Sequence, residues 1–122
     1  MEEFLHKDIT HSIIGAAYKV YNTLGSGFLE KVYENALCME IEILGLEVER
    51  QAPIKVLYKG KVVGEYFADL LVEKNIIVEL KAVTELNRAH EVQLVNYLRA
   101  TGLRVGLLIN FGDSILIRRK VL

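Results

Sequence analysis

Residues 66–83 constrain this chain more than any other stretch. Two strand-length apolar runs, 66–72 and 76–83, stand either side of Glu73-Lys74-Asn75, and each carries a carboxylate in its interior. Alternate residues of a strand share a face. In the second run Ile76, Val78, Leu80 and Ala82 point one way, and Ile77, Glu79, Lys81 and Val83 the other. In the first, Tyr66, Ala68, Leu70 and Val72 form one face, and Phe67, Asp69 and Leu71 the opposite one. A buried charge needs a partner, so the register of this hairpin decides the chemistry.

A two-residue loop, Lys74-Asn75, pairs Asp69 with Leu80 and puts it on the face away from Glu79. A three-residue loop, Glu73-Lys74-Asn75, pairs Val72 with Ile76 and Asp69 directly with Glu79. Three-residue loops favour a type I turn closed by a left-handed residue, which Asn tolerates. This register also gathers the apolar residues on one shared face, and it is the one expected. Two carboxylates then oppose one another on adjacent strands, roughly 5 Å apart at Cβ, where like charges destabilise a sheet. Lys81 relieves one charge. A hard divalent cation relieves both, since Mg²⁺ takes one or two carboxylates plus water and substrate phosphate. From the patterning alone, a metal site and a surface hairpin with an incidental Glu79–Lys81 pair are equally good readings.

The rest of the chain reads as one domain over residues 1–122, a length that leaves no room for two. Ile9, Ile13, Ala16, Val20 and Leu24 recur at helical spacing over residues 8–24, and Gly25-Ser26-Gly27 breaks the pattern. Residues 28–44 carry two apolar stripes, Leu29, Val32, Ala36 and Ile43 beside Tyr33, Leu37, Ile41 and Leu44, which predicts burial on more than one side. Strands follow at 47–50 and 54–58, flanking Pro53, the chain's one proline, as an edge or a break. After the hairpin come a helix over 87–101, ended by Gly102, and strands at 104–110 and 114–120. The order α-α-β-β-β-α-β-β predicts an α/β chain with an α+β mixed sheet.

A 52% apolar fraction supplies a core, and the formal net charge of −1 neither advertises nucleic-acid binding nor excludes it. Cys38 is the single cysteine, so no intrachain disulfide forms, and a buried apolar role is expected for it. The polar N-terminal stretch has no signal-like apolar run, and no segment approaches the ~18 apolar residues of a membrane span. A cytoplasmic location without a membrane partner is expected. No Gly-rich phosphate loop, Ser/His/Asp order or zinc spacing is present.

Asp69, nine residues, then Glu79-Leu80-Lys81 resembles the D-(x)n-E-x-K signature of the PD-(D/E)XK nuclease superfamily, with Ala68 where the name has proline. Gly27-Phe28-Leu29-Glu30-Lys31-Val32-Tyr33 resembles the motif that names the GxxExxY protein family, a bacterial and archaeal branch of it. The stretches EYFADLLVEKNIIVELKAV, EVQLVNYLRATG and VGLLINFG are similar to that family as well, so the likeness covers nearly the whole chain.

The resemblance implies a restriction-endonuclease-like α-β-β-β-α-β core with an extra N-terminal helix and C-terminal strand. It implies Asp69 and Glu79 as metal ligands, with Glu30 facing the metal from the second helix. Lys81 would position or activate water, and Gln93 would complete the catalytic set. Tyr33 and Tyr97 would line the site, Tyr33 more by packing than by chemistry. A carboxylate at Glu30 is also favoured by the helix macrodipole. Tyr33 and Glu34 follow Glu30 by three and four residues and border the same patch. Arg88, Arg99 and Arg118-Arg119-Lys120 could meet phosphate, although each reads first as a solvated charge. The expected function is metal-dependent hydrolysis of nucleic-acid phosphodiester bonds, DNA ahead of RNA, with Mg²⁺ as cofactor and Mn²⁺ as substitute. The alternative is a catalytically weak or inactive nuclease-fold module that binds nucleic acid or protein. The small size makes a homodimer unsurprising.

Overall fold

The computed structural model describes residues 6–122; residues 1–5, half of the polar N-terminal stretch, lie outside the described residues. The elements run α1 Lys7–Leu24, α2 Glu30–Ile43, β1 Val48–Tyr58, β2 Lys61–Val72, β3 Ile76–Lys81, α3 Arg88–Thr101, β4 Val105–Phe111 and β5 Ile115–Val121. The five strands form one sheet in the order β1-β2-β3-β4-β5. β3 and β4 are parallel and the other neighbours antiparallel. This is the mixed α+β architecture that the element order predicts.

The helices cover the sheet unequally. α1 and α2 lie on one face, where Ile13, Val20, Tyr33, Leu37 and Ile41 pack on Leu70, Val78, Leu80, Leu107 and Phe111. α3 lies on the other, with Leu94, Tyr97 and Leu98 against Ile54, Ala68, Ile77 and Leu108. β4 is buried along its whole length, as a central strand covered on both faces should be. Gly106 lets α3 approach, because a Cβ there would come within 2.7 Å of the Leu94 side chain. Cys38 is buried among the apolar residues of the first face.

The ends of α3 follow from local chemistry. Asn87 accepts the Ala89 N–H at 2.8 Å, and its own N–H donates to His90 Nδ1 at 3.3 Å. His90 thus caps the helix. Gly102, at φ 74°, closes it.

One expectation is corrected, and for Pro53 the edge, not the break, holds. α2 is buried on one side, not two: Tyr33, Leu37 and Ile41 are in the core, while Leu29 is 80% and Ile43 71% exposed. The helix lies in an outer layer, so of its second stripe Ala36 still packs at the edge of the core while Leu29 and Ile43 stand in solvent. Pro53 does not break its strand. β1 is an edge strand and runs continuously through Pro53, opposite Phe67. An edge position can lack an N–H without losing a ladder bond.

Candidate active site

The hairpin adopts the three-residue register: Val72 pairs with Ile76, Leu71 with Ile77 and Leu70 with Val78. The turn differs from expectation in one respect. Glu73 and Lys74, not Asn75, are left-handed, at φ 53° and 58°. Glu73 is held there from both ends: its N–H donates to Glu47 O at 2.8 Å, and its carboxylate accepts the Glu47 N–H at 2.6 Å. Asn75 closes the turn by donating its N–H to Val72 O.

Beyond Leu70 and Val78 the β2–β3 ladder opens. Side chains replace the missing backbone bonds. The Asp69 N–H donates to Glu79 Oε1 at 3.1 Å, and the Leu80 N–H donates to Asp69 Oδ2 at 2.8 Å. The two carboxylates therefore meet across the gap between the strands. The neighbouring pair on the other side is interrupted too: β1–β2 pairing passes from Arg50↔Leu70 to Ala52↔Ala68 and skips Gln51 and Asp69. Gln51 has φ 50°, uncommon for a residue with a Cβ.

This kink changes which way both strands face. Leu70 and Val72 join the α1/α2 core, whereas Ala68 joins the α3 core and the Tyr66 ring lies against Tyr97. The expected common face of Tyr66, Ala68, Leu70 and Val72 is therefore wrong. Strict alternation holds only while the backbone stays extended, and it fails at Gln51 and Asp69.

Gln51 ties the kink together. Its side-chain amide donates to Glu34 Oε1 at 2.9 Å and reaches Asp69 Oδ1 at 3.4 Å. Glu34, one turn along α2 from Glu30, is only 2% exposed. It also takes Lys31 at 2.8 Å and Arg50 at 3.5 Å. Arg50 hydrogen-bonds Asn35 as well. Gln51 and Glu34 stand outside the site expected from the sequence, Glu34 only at its border. Their signal was faint: a glutamine before the sole proline, and an acid inside an apolar helix face.

Tyr33 sits in the core rather than among the acids. Its ring stacks on Phe111 at 4.6 Å, its hydroxyl donates to Gly25 O at 2.6 Å, and it accepts the Phe28 N–H at 3.3 Å. With Gly27 at φ 104°, these bonds shape the loop that delivers Glu30 to the first turn of α2. Lys81 ends β3 opposite Asn110. Asn110 fixes that end by bonding both the N–H and the carbonyl of Val83, at 3.0 and 2.9 Å.

The electrostatics describe one crowded acidic patch. Burial, and then the Asp69 charge, push the Glu79 carboxyl up to about 8, against the pull of the Asp69 N–H and Lys81. Burial raises Asp69 as well; the Leu80 N–H opposes this and Glu34 adds to it. Glu30 is raised by burial and by Asp69, and lowered by Lys81. Burial, Glu79, Tyr66 and Asp69 push the Tyr97 hydroxyl up to about 12. Tyr97 thus feels the carboxylate pair from the α3 side, and Gln93 lies one turn earlier, in a groove that both line.

Among the described residues no three His, Cys, Asp or Glu side chains form a group able to hold a metal ion by themselves. The donor set nevertheless fits a hard cation. Asp69 and Glu79 present carboxylate oxygens whose charge is costly where they stand, and Mg²⁺ commonly takes two carboxylates and fills its remaining positions with water and phosphate.

A family model described as PD-(D/E)XK nuclease superfamily matches residues 7–121. The chain belongs to the PD-(D/E)XK nuclease superfamily. Nucleases of this superfamily generally use divalent metals. Among solved structures, the chain titled "Crystal structure of SSO0001" is similar, with a TM-score of 0.59 at 20% sequence identity. The match covers 75% of this chain and 50% of that one, so this chain spans about half the length of that relative, and the likeness is one of fold. No curated protein matches. No helix among the described residues is long and apolar enough to cross a membrane.

Proposed function

We propose that residues 1–122 form a single nuclease-like domain of the GxxExxY branch that hydrolyses nucleic-acid phosphodiester bonds with Mg²⁺, DNA ahead of RNA, in the cytoplasm. One observation carries this reading: Asp69 and Glu79 meet where the β2–β3 ladder opens, with Lys81 among the charges that act on both. Asp69 and Glu79 would hold the cation, and Glu30 would face it from α2. The ion, when bound, polarises the scissile phosphate and lowers the pKa of its water.

The chain's own groups do the rest. The Lys81 ammonium offsets negative charge that grows on the phosphate oxygens and orients the attacking water. Gln93 offers an amide from α3, and Tyr97 shields the pair from that side. Gln51 and Glu34 hold Asp69 in place. A homodimer belongs to the same reading, with the exposed α2 stripe of Leu29, Met39 and Ile43 as its apolar surface.

A second reading is favoured by a specific observation. Each carboxylate already accepts a backbone N–H, and no third acid completes a metal group among the described residues. Such a site suits a weak or inactive module that binds nucleic acid or protein. Cleavage of labelled DNA and RNA, single- and double-stranded, in Mg²⁺ or Mn²⁺ separates the two. The parent is expected to cut, and Lys81→Ala to lose on the order of 10²-fold in rate while melting like the parent. Equal cleavage by Lys81→Ala would sink the mechanism, and no cleavage by the parent would leave the binding module.

A further inference from the structure

The kink at Gln51 and Asp69 swings the outer half of the β1–β2 hairpin over α3, and a groove of about 1040 Å³ lies between them. Val56, Tyr66, Val92 and Tyr97 line it, with Arg88 and Arg99 along the α3 side. Both arginines are exposed, and no Asp or Glu lines the groove. Tyr66 is 48% exposed, and its ring meets that of Tyr97 at 5.6 Å. Tyr97 shares a buried cluster with Ala68, the chain neighbour of Asp69, and feels the charge of both acids, so the groove lies on the α3 side of the carboxylate pair.

Charge and shape together select the occupant. The lining holds two exposed arginines and no acid, and Glu91, which acts on Arg88 from outside the groove, is paired with Lys120 at 2.7 Å, so the groove favours a polyanion in a chain whose overall charge is −1. A duplex would present those arginines with phosphate, but its stacked bases would leave the aromatic floor empty. An unpaired nucleotide uses both features: every base has a π-face that stacks on an aromatic ring, and its flanking phosphates meet guanidinium groups.

We propose that this groove holds an unpaired nucleotide of a single-stranded nucleic acid, the base against Tyr66 and the flanking phosphates at Arg88 and Arg99. The assignment rests on the nuclease reading for its proximity to the carboxylates, but not for binding itself. It makes single strands, frayed ends or flaps the substrate class.

The test is fluorescence anisotropy of the intact protein in EDTA, with labelled oligothymidylate and with the same strand paired to oligoadenylate. The single strand is expected to bind at least about tenfold more tightly than the duplex. Tyr66→Ala should lose about tenfold of that affinity and Tyr66→Phe almost none. Arg99→Ala should weaken binding and reduce the salt slope by about one. Equal or tighter duplex binding, undiminished binding by both Tyr66→Ala and Arg99→Ala, or no binding of either probe overturns the proposal. So does a dimer in sedimentation that Tyr66→Ala separates and oligothymidylate does not, because a second copy would then fill the groove. Cleavage in Mn²⁺ is scored separately. Binding as described without any cleavage keeps the groove and removes the nuclease reading, whereas cleavage of duplex that is indifferent to Tyr66 does the reverse.

Discussion

Each carboxylate of the central pair holds a backbone N–H of the facing strand. That bond ties the acid to the fold, yet burial of the charge opposes it. Glu79 shows the conflict most clearly. It is 5% exposed, and its carboxyl is raised from 4.5 to about 8. A raised folded-state value means that the folded protein binds the proton more tightly than the unfolded chain. The associated stability is fully present below about pH 4.5 and is lost as the pH rises through about 8. In metal-free buffer the melting temperature should therefore fall across that interval. Glu79→Gln should flatten the profile and raise the midpoint at alkaline pH by several degrees. A Glu79→Gln profile parallel to the parent's would mean that the buried charge is not the cause. The Gln replacement keeps the acceptor for Asp69 N–H, so it isolates the charge.

At the scale of the element, the decisive feature is the paired kink of β1 and β2. A glutamine at φ 50° is strained, and strain of this kind persists where surrounding bonds over-determine it. Here those bonds run to Glu34 and Asp69. Gln51→Gly should relieve the strain while removing the bonds, so its stability should stay within about 1 kcal/mol of the parent. Gln51→Ala keeps the strain and loses the bonds, and should cost about 1–2 kcal/mol more than the glycine variant. Both should weaken Mn²⁺ binding by about tenfold, as loss of a ligand's hydrogen-bond partner does. Urea melts and calorimetric titration measure the two effects. Equal stability of the glycine and alanine variants would remove the strain argument, and unchanged Mn²⁺ affinity would remove the positioning role.

For the molecule as a whole, the sheet divides the work. The α1/α2 face supplies the larger core and the acids of α2, and the α3 face supplies Tyr97 and the groove. The carboxylate pair stands where the two faces exchange. A bound cation should stabilise the entire fold by linkage, because the unfolded chain cannot bring Asp69 and Glu79 together. At a hundredfold excess over Kd the gain is about 2.7 kcal/mol, a rise of several degrees in the melting midpoint. The expected outcome is a Mg²⁺- or Mn²⁺-dependent rise in the parent that Asp69→Ala abolishes. The same rise in Asp69→Ala would place the metal elsewhere.

Local patterning was enough for the order of elements and the three-residue register of the hairpin, which brings Asp69 and Glu79 to face each other although the ladder opens before it pairs them. Periodicity, loop length and the placement of an acid within an apolar run are local properties, and each reads directly from neighbouring residues. The Gly27-to-Tyr33 motif was equally visible, but its physical meaning was not: Tyr33 acts on the loop at Gly25 and Phe28 through its hydroxyl, and on Phe111 through its ring. Folding was needed to show that Glu34 and Gln51 brace Asp69, that Asn110 pins the end of β3, and that α2 keeps Leu29 and Ile43 in the open. These depend on contacts between residues far apart in the chain. The kink that turns Ala68 away from Leu70 is the sharpest case. Period-two alternation assumes extended backbone throughout, and one left-handed residue, stabilised by an acid on a distant helix, is enough to exchange the faces of two strands.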